Sequence, residues 1–494
     1  MSSHSQSNGN IQVETPTPIP VLERHAGQSE YPLSLNQQHM WFQSQLDAES
    51  SLWNLGAKMN VTGPLDVAAF IQAIQNTVDR HEILRTIFTV VDDAPVQQVM
   101  DVKVKCAVRD LPSGSKQDRE NRVWTLLSEL ADPVYDLAAG PLFRVGLLRA
   151  SDNEHYFIIG FHHLLLDAFY SGQLMKEIVT AYDLLRRGEP LLPEPPLQYG
   201  DFCMWQQERW GQGLMADTTT FWREQLREPL PEIDLPIDSE VPFPRVVKSQ
   251  VSLNLNAGIV KRLREIGRQT RTTLFRVMLA TFTLFFSRMS ESGELMLDID
   301  FSTRPREMGH SVGFFANLLP VRFKVDKEET FLDLLRAVDL QVRNVSANRE
   351  FPVRQLTRKL KNRRHTMQPV SPIVVTQLGE LDWSLGELHL TGSIYVTASI
   401  HDLWLGVMER DDDLEVILAY SHELFDSTRA HEWADWVEKT VHRVVAQPDV
   451  PVVQLMLPED QQDAFWLPEK AKAAAAGNSV AEVTVQRAGQ PQNA

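Results

Sequence analysis

The stretch FIIGFHHLLLDAFYSG, residues 157–172, most constrains the fold, because an apolar run there ends in two adjacent histidines. A run of this length after turn-forming residues at 151–154 predicts a buried strand. Successive side chains of a strand point to opposite faces, so His162 and His163 cannot both bind one metal ion while the strand continues. No other group at ligand spacing lies nearby in the sequence. We therefore expect no metal site here.

One histidine of the pair can instead face a cleft and act as a general base, because an imidazole titrates near neutral pH. The other would then face inward and donate to a backbone carbonyl. Two core histidines with satisfied partners remain the alternative for an isolated pair.

Asp167 favours the functional interpretation, because it lies where the apolar run meets a helix predicted at 173–187. A buried carboxylate needs a cation or hydrogen-bond donors. The stretch RHEILRTIF, residues 80–88, offers Arg80 and Arg85. An ion pair with one of them would brace the loop and would be structural. A solvated helix end is the alternative for this stretch.

The chain has 494 residues, which is too long for one ordinary core and favours two lobes. Alternating helical and strand patterns predict an α/β fold of mixed α+β character. The predicted parts are a disordered leader at 1–30, a first lobe at 31–190, a second lobe at 191–457 and a disordered tail at 458–494. The second lobe opens with the Pro-rich linker LLPEPPLQYGDF.

Composition and motifs exclude several classes of function. A net charge of -17 argues against a nucleic-acid partner, because phosphate binding needs a basic face. Two distant cysteines form no disulfide framework, and no apolar run approaches the roughly 20 residues that span a bilayer. The polar N-terminus lacks a secretory signal, so we expect a cytoplasmic protein without a membrane partner. Without a Walker, dinucleotide-binding or nucleophile-elbow motif, no bound cofactor is indicated.

Several stretches, in order, resemble the motifs of nonribosomal peptide synthetase condensation domains. HHLLLDA resembles HHxxxDG, SLNQQHMW resembles SxAQxRLW, and RHEILRTIF resembles RHExLRTxF. YGDFCMW and VGFFANLLPVRF resemble two later motifs of the same family. The resemblance covers residues 31–457. It implies two chloramphenicol acetyltransferase-like lobes, arranged as a V-shaped pseudo-dimer with a central tunnel.

The resemblance also implies a function. An acyl or peptidyl thioester, held on the phosphopantetheine arm of a carrier protein, would be attacked by an amine or a hydroxyl group. The product would be an amide or an ester, and no cofactor would be bound directly. His163 matches the catalytic position, where it would deprotonate or orient the nucleophile or stabilise the tetrahedral intermediate. His162 would support it, Asp167 would pair with Arg85, and Asn317 would line the tunnel from the second lobe.

Four positions depart from the family pattern. Asn36 and His39 replace the alanine and the arginine of the opening motif, Ala168 replaces the glycine of the histidine motif, and Tyr170 replaces a frequent serine. Ala168 keeps its backbone N–H, so an oxyanion donor there would survive, although its methyl group disfavours a positive φ. Tyr170 would narrow or reshape the tunnel. We expect the changes at Ala168 and Tyr170 to affect substrate preference more than activity.

Other functions remain open at this stage. A same-fold acyltransferase would use a coenzyme A thioester, and a non-catalytic module would only recruit a partner. The chain is either a free-standing enzyme or a domain cut from a longer one. Its donor, its acceptor and the choice between amide and ester are not readable from the sequence.

Overall fold

The strands form two six-stranded sheets and a small three-stranded sheet, among the residues that the structure describes. The computed structural model describes residues 20–111, 114–238, 247–290, 292–353, 373–378, 382–396, 401–409 and 413–456. The strands are β1 (Glu30–Pro32), β2 (Asn54–Thr62), β3 (Thr86–Val91), β4 (Ala94–Val99), β5 (Cys106–Asp110), β6 (Phe143–Ser151), β7 (Glu154–His162), β8 (Val247–Leu255), β9 (Glu294–Ser302), β10 (Ala316–Lys324), β11 (Ile373–Leu378), β12 (Asp382–Leu385), β13 (Leu388–Val396), β14 (Leu403–Glu409) and β15 (Leu414–Ser421).

The α-helices pack on these sheets and connect many of the strands. They are α1 (Leu35–Leu46), α2 (Val67–Arg80), α3 (Lys116–Ala131), α4 (Ala168–Arg187), α5 (Tyr199–Gly211), α6 (Ala216–Gln225), α7 (Ala257–Thr270), α8 (Leu274–Phe286), α9 (Phe331–Ala347), α10 (Ser427–Ala446) and α11 (Val452–Leu455). Helix α4 begins five residues before the predicted start at 173. Helix α2 ends at Arg80, and a 3-10 turn at Glu82–Arg85 follows it.

The first large sheet has the order β12-β13-β2-β7-β6-β5. Strand β7 lies inside this sheet and pairs antiparallel with β2 and β6. Phe157, Ile159 and Phe161 face the core formed with α2 and α4, whereas Ile158 packs against α3. Both faces of β7 are therefore covered, which explains the continuous apolar run in its sequence.

Strands β12 and β13 extend this sheet, because β13 pairs antiparallel with β2 along its length. They come from residues 382–396, which the predicted division assigns to the second lobe. A boundary at residue 190 therefore does not account for the whole first sheet. Strand pairing between such distant segments is not encoded in the local hydrophobic pattern.

The second large sheet has the order β10-β9-β11-β14-β15-β8. One face packs on α7, α8, α9 and α10 and forms the larger core. The other face carries a smaller apolar cluster that includes Val374, Trp404 and Ile417, with Leu318 against it. Helix α4 of the first lobe contacts β11. The second face is therefore turned toward the first lobe, and we call this boundary the seam.

The predicted leader and tail fall partly or wholly outside the described residues. Residues 1–19 and 457–494 lie outside them. Within the leader, Arg24 forms an ion pair with Glu82, and the indole N–H of Trp205 donates to the carbonyl of Pro20. The segment from residue 20 onward is therefore attached to the first lobe, and the predicted disorder does not extend to it.

No helix in the described part of the chain combines the length and the apolar character needed to cross a membrane. The apolar helix α8 has 13 residues, against the roughly 20 that span a bilayer. Eleven of its side chains are buried in the second core. Its apolar composition thus follows from packing within the protein.

Gly160 lets β7 lie close to α3, so we predict that Gly160→Ala destabilises the fold. A Cβ atom at this position would lie 2.5 Å from the carbonyl oxygen of Leu130. Backbone must shift to relieve this contact, which should cost about 1–3 kcal/mol in the free energy of unfolding. The measurement is chemical denaturation of both proteins. Gly211→Ala is the control, because a Cβ atom there meets nothing within 4 Å. An equal change in both variants would contradict the predicted clash.

Candidate active site

The loop at 163–167 connects the end of β7 to the start of α4. Backbone hydrogen bonds fix its first residues. The N–H of His163 donates to the carbonyl of Trp53 at 2.8 Å, and the N–H of Leu165 donates to the carbonyl of His162 at 3.0 Å. The strand ends at His162, so His162 belongs to the strand and His163 belongs to the loop.

His163 has one ring nitrogen engaged and one available. Its Nδ1 lies 2.9 Å from the carbonyl oxygen of Leu166. Because a carbonyl only accepts, Nδ1 carries the proton and Nε2 presents a lone pair when the ring is neutral. Burial lowers the pKa of His163, while the hydrogen bond to Leu166 acts in the opposite direction. The neutral imidazole therefore prevails at pH 7 and suits a general base.

An aromatic residue of the second lobe borders this imidazole. The ring of Phe314 lies edge-on to the ring of His163, with centroids 5.0 Å apart. His163 retains partial exposure to solvent. The imidazole of His163 is thus covered on one side by the second lobe and is accessible to solvent on another side.

His162 has a different environment and is 5% exposed. Its Nδ1 accepts the backbone N–H of Leu164 at 3.2 Å. Burial and the neighbouring His163 lower the pKa of His162 to about 3. An imidazole that stays neutral and binds the loop backbone fits the predicted supporting role.

Gln37 also holds the loop, and the sequence analysis did not select it. Its Nε2 donates to the carbonyl of Leu164 at 2.8 Å. Its Oε1 accepts the backbone N–H of Ser34 in the capping box that starts α1. The signal was present, because Ser followed three residues later by Gln marks such a cap. The pattern could not show that the same amide reaches the histidine loop.

Asp167 joins the loop to the second lobe. Its Oδ2 accepts the backbone N–H of Phe315 at 2.9 Å, across 148 residues of sequence. The carboxylate is 1% exposed. The prediction that Asp167 supports the loop fits this contact, although the partner is a backbone group.

The segment that reaches Asp167 is buried in the core of the first lobe. Met308, Val312, Phe314 and Phe315 belong to that core cluster. The hydroxyl of Tyr199 donates to the carbonyl of Phe314 at 2.6 Å. These contacts explain the motif VGFF: its aromatic residues bind the two lobes together beside the histidines.

The predicted ion pair between Asp167 and Arg85 is wrong. Within the described residues, Arg85 forms no ion pair, and its buried Nε has no hydrogen-bond partner. Arg80, the second candidate, forms an ion pair with Glu177 of α4 at 2.5 Å. A backbone N–H of the second lobe, and neither of these two arginines, donates to Asp167.

Asn317, predicted to line the tunnel from the second lobe, has its side-chain amide bound to the backbone after α9. Its Nδ2 donates to the carbonyls of Arg349 and Phe351, at 2.6 and 3.1 Å. Its neighbour in the β-sheet register is Phe301, which packs on the helical core of the second lobe. Asn317 thus faces away from the seam and stabilises the turn after α9.

Ala168 is the first residue of α4. The side chains of Ala168 and Tyr170 lie outside the described residues, so the predicted effects on the tunnel remain predictions. The N–H groups in the first turn of a helix have no acceptor within that helix. They also lie at the positive end of the helix dipole, which favours a negatively charged ligand.

A cleft of about 610 Å³ borders His162. Its wall includes Trp41 from α1, Phe88 from β3 and Tyr135 from the loop before β6. No group of three or more His, Cys, Asp or Glu residues suited to a metal ion occurs in the part of the chain that the structure describes. The cleft therefore borders the supporting His162, and His163 is not among its lining residues.

Comparison with known proteins identifies the family of the chain. The family model described as Condensation domain matches residues 27–467. The chain belongs to this family, and the predicted resemblance is confirmed.

The curated relatives are much longer proteins. One subunit of the linear gramicidin synthase of Brevibacillus parabrevis is 28% identical over 464 residues, covering 91% of this chain and 9% of that protein. Surfactin synthase subunit 2 of Bacillus subtilis (strain 168) is 28% identical over 460 residues, covering 92% of this chain and 12% of that protein. The chain thus spans about a tenth of the length of these relatives.

Solved structures confirm the predicted fold. The X-domain from teicoplanin biosynthesis, solved in complex with OxyB, is 25% identical with a TM-score of 0.73, and the match covers 90% of this chain and all of that one. The starter condensation domain of rhizomide synthetase, solved with C8-CoA, has a TM-score of 0.77 at 18% identity, covering 87% and 98%. The mixed α/β fold of condensation domains is therefore the fold of this chain.

The buried His162 should make the protein less stable in acid. Its pKa of about 3 lies below the value of about 6.5 for an exposed imidazole, so between these values only the unfolded chain binds the proton. The free energy of unfolding should therefore fall as the pH drops below about 6.5. His162→Asn can still accept from Leu164, and it should reduce this fall by up to about 3 kcal/mol at pH 4.

Urea denaturation between pH 4 and pH 8 measures this effect. His310→Asn is the control, because this histidine is exposed. Parallel pH dependences for the wild type and His162→Asn would contradict the assignment of a buried neutral imidazole.

Proposed function

We propose that this chain joins a carrier-bound acyl or peptidyl thioester to an amine or hydroxyl acceptor, and so forms an amide or an ester. The observation that carries the proposal is the free Nε2 of His163, in a loop held by both lobes. Membership in the condensation domain family supports the same transferase chemistry. The names of the curated relatives, which include gramicidin and surfactin synthases, favour peptide natural products.

The reaction requires two proton transfers, and it replaces a carbon–sulfur bond with a bond from carbon to nitrogen or oxygen. The acceptor nitrogen or oxygen attacks the thioester carbonyl, and the carbon–sulfur bond breaks. The nucleophile loses a proton to Nε2 of His163, and the departing sulfur receives a proton from the same nitrogen. Backbone N–H groups at the start of α4 stabilise the oxyanion of the tetrahedral intermediate.

The donor is the phosphopantetheine thioester of a carrier protein, which is a substrate and not a resident cofactor. Acceptors would be bound to a second carrier or free in solution. The substitutions at Ala168 and Tyr170 are proposed to tune which acyl group is accepted. The cytoplasmic location stays a prediction.

Recruitment of a protein partner without catalysis is a second candidate function. The likeness to the X-domain, which was solved in complex with OxyB, favours it. A recruiting module would not need a histidine with one fixed and one free nitrogen. The geometry of His163 therefore supports the condensation reaction more strongly.

His163→Ala should lower turnover by about 100-fold to 10,000-fold, because general-base catalysis contributes about this much. Wild type and variant would be incubated with an acyl-loaded carrier protein and a mixed panel of amines, alcohols and aminoacyl carriers. Mass spectrometry of the products and of the intact carrier gives the rates.

His155→Gln is the matched control, because His155 is a buried histidine of β7 that lies eight residues before His163 and outside the histidine loop. It should retain turnover. If His163→Ala keeps its melting temperature and also its turnover, the proposed base is wrong. Product formation by neither wild type nor variant would favour the recruiting function.

A further inference from the structure

Strand β9 places two carboxylates on the seam. Asp298 and Asp300 alternate with Leu297 and Ile299, which belong to the helical core of the second lobe. Alternation therefore turns both carboxylates to the opposite face of the sheet, toward the first lobe. Asp300 pairs in register with Leu318, which packs on the apolar cluster of that face.

Asp298 has a partner within the protein. Its Oδ2 lies 3.0 Å from Nε2 of His401, and both side chains are buried. Its Oδ1 is buried without a hydrogen-bond partner among the described residues. His401 thus contacts only one of the two carboxylate oxygen atoms of Asp298.

Asp300 has no hydrogen bond and no ion pair within the part of the chain that the structure describes. It is only partly exposed. Burial raises the pKa of Asp300 to about 7, and repulsion by Asp167 contributes to the shift. The chain just after β9 also reaches that loop, because the N–H of Thr303 donates to the carbonyl of Phe315 and the N–H of Phe315 donates to Asp167. Asp167 of the first lobe and Asp298 of the same strand are the acidic groups nearest to this argument.

A half-buried carboxylate beside a second carboxylate is costly unless a cation reaches it. A ring nitrogen of His401 contacts Asp298, whereas no side chain in the described part of the chain pairs with Asp300. In the proposed function, the group that enters this region with a positive charge is the protonated amine of an acceptor. An acceptor hydroxyl is neutral and would relieve no repulsion.

We propose that Asp300 is the residue that binds the ammonium group of the acceptor and removes its first proton. This inference rests on the proposed function and adds a residue of the second lobe to it. It also commits the acceptor to a primary amine.

The proton balance is complete without a further reactant. The ammonium nitrogen gives one proton to the carboxylate of Asp300, which becomes a carboxylic acid and later releases that proton to water. The neutral amine attacks the thioester, and its second proton passes through Nε2 of His163 to the departing sulfur. An α-amino group titrates near 7.7–8.0, so transfer to a carboxylate with a pKa of about 7 costs little.

Two acceptors of equal shape test the proposal: alanyl-pantetheine and lactyl-pantetheine, which differ only in an amino and a hydroxyl group. Donor carriers loaded with acetyl, octanoyl or phenylalanyl groups would be used in parallel. Product formation is followed by mass spectrometry at pH 6 to 9 for wild type, Asp300→Asn and Asp300→Ser. Asp402→Asn is the control, because burial alone raises the pKa of this carboxyl to about 6.

Asp300→Asn should lower kcat/KM for the alanyl acceptor by about 100-fold, the lower range for a proton-transfer group. Turnover of the lactyl acceptor should not fall in this variant. The wild-type rate with the alanyl acceptor should drop as the pH falls through about 7, because Asp300 becomes protonated, and the variant should lack this drop. The melting temperature of Asp300→Asn should not decrease, since a repulsive charge is removed. Asp300→Ser should show the same selectivity, and Asp402→Asn should behave as wild type.

Equal losses with both acceptors, no loss with either, or the same loss in Asp402→Asn would overturn the role of Asp300. These results would leave the proposed function intact, because wild type still forms product. If wild type forms no product from any donor and acceptor, both the proposed function and this inference are overturned.

Discussion

The hydrogen bond from the backbone of Phe315 to Asp167 is the contact on which the site depends. It fixes the end of the histidine loop to a segment 148 residues away. The adjacent Phe314 borders the imidazole of His163, so the same contact also sets the wall of the site. Loss of this donor would remove a hydrogen bond from a buried carboxylate, which is costly. The relative position of the lobes and the orientation of the base are therefore determined together.

The polar groups around the base mostly find backbone partners. Gln37 and His162 both bind main-chain atoms of Leu164, and His163 binds that of Leu166. Burial of polar groups is tolerable because each has such a partner, and it keeps the imidazoles neutral. The loop thus uses local hydrogen bonds to leave one nitrogen of His163 free. This arrangement does not require a nearby carboxylate to orient the base.

The local part of this arrangement could be predicted from the sequence. The apolar run of β7, the histidines at its end and the helix after Asp167 follow from periodicity and from polar groups at the end of a strand. The ordered motifs identified the family. The partner of Asp167 could not be predicted, because charge alone favoured Arg85 and does not reveal a backbone donor in another lobe. The pairing of β13 with β2 could not be predicted either, because the local sequence does not show which distant strand lies beside β2.

The alternation of side chains between the two faces of a strand decides which residues of the second lobe reach the seam. A shift of one residue exchanges the two faces of a strand, and the sequence around Asn317 contains no local sign of which face is which. The register turns Asn317 to the helical core and turns Leu318, together with Asp300, to the seam. Recognition of charge is strongest where the charged group is partly removed from water and lacks a partner. With Asp300 in the proposed role, the choice of acceptor therefore depends on a strand of the second lobe.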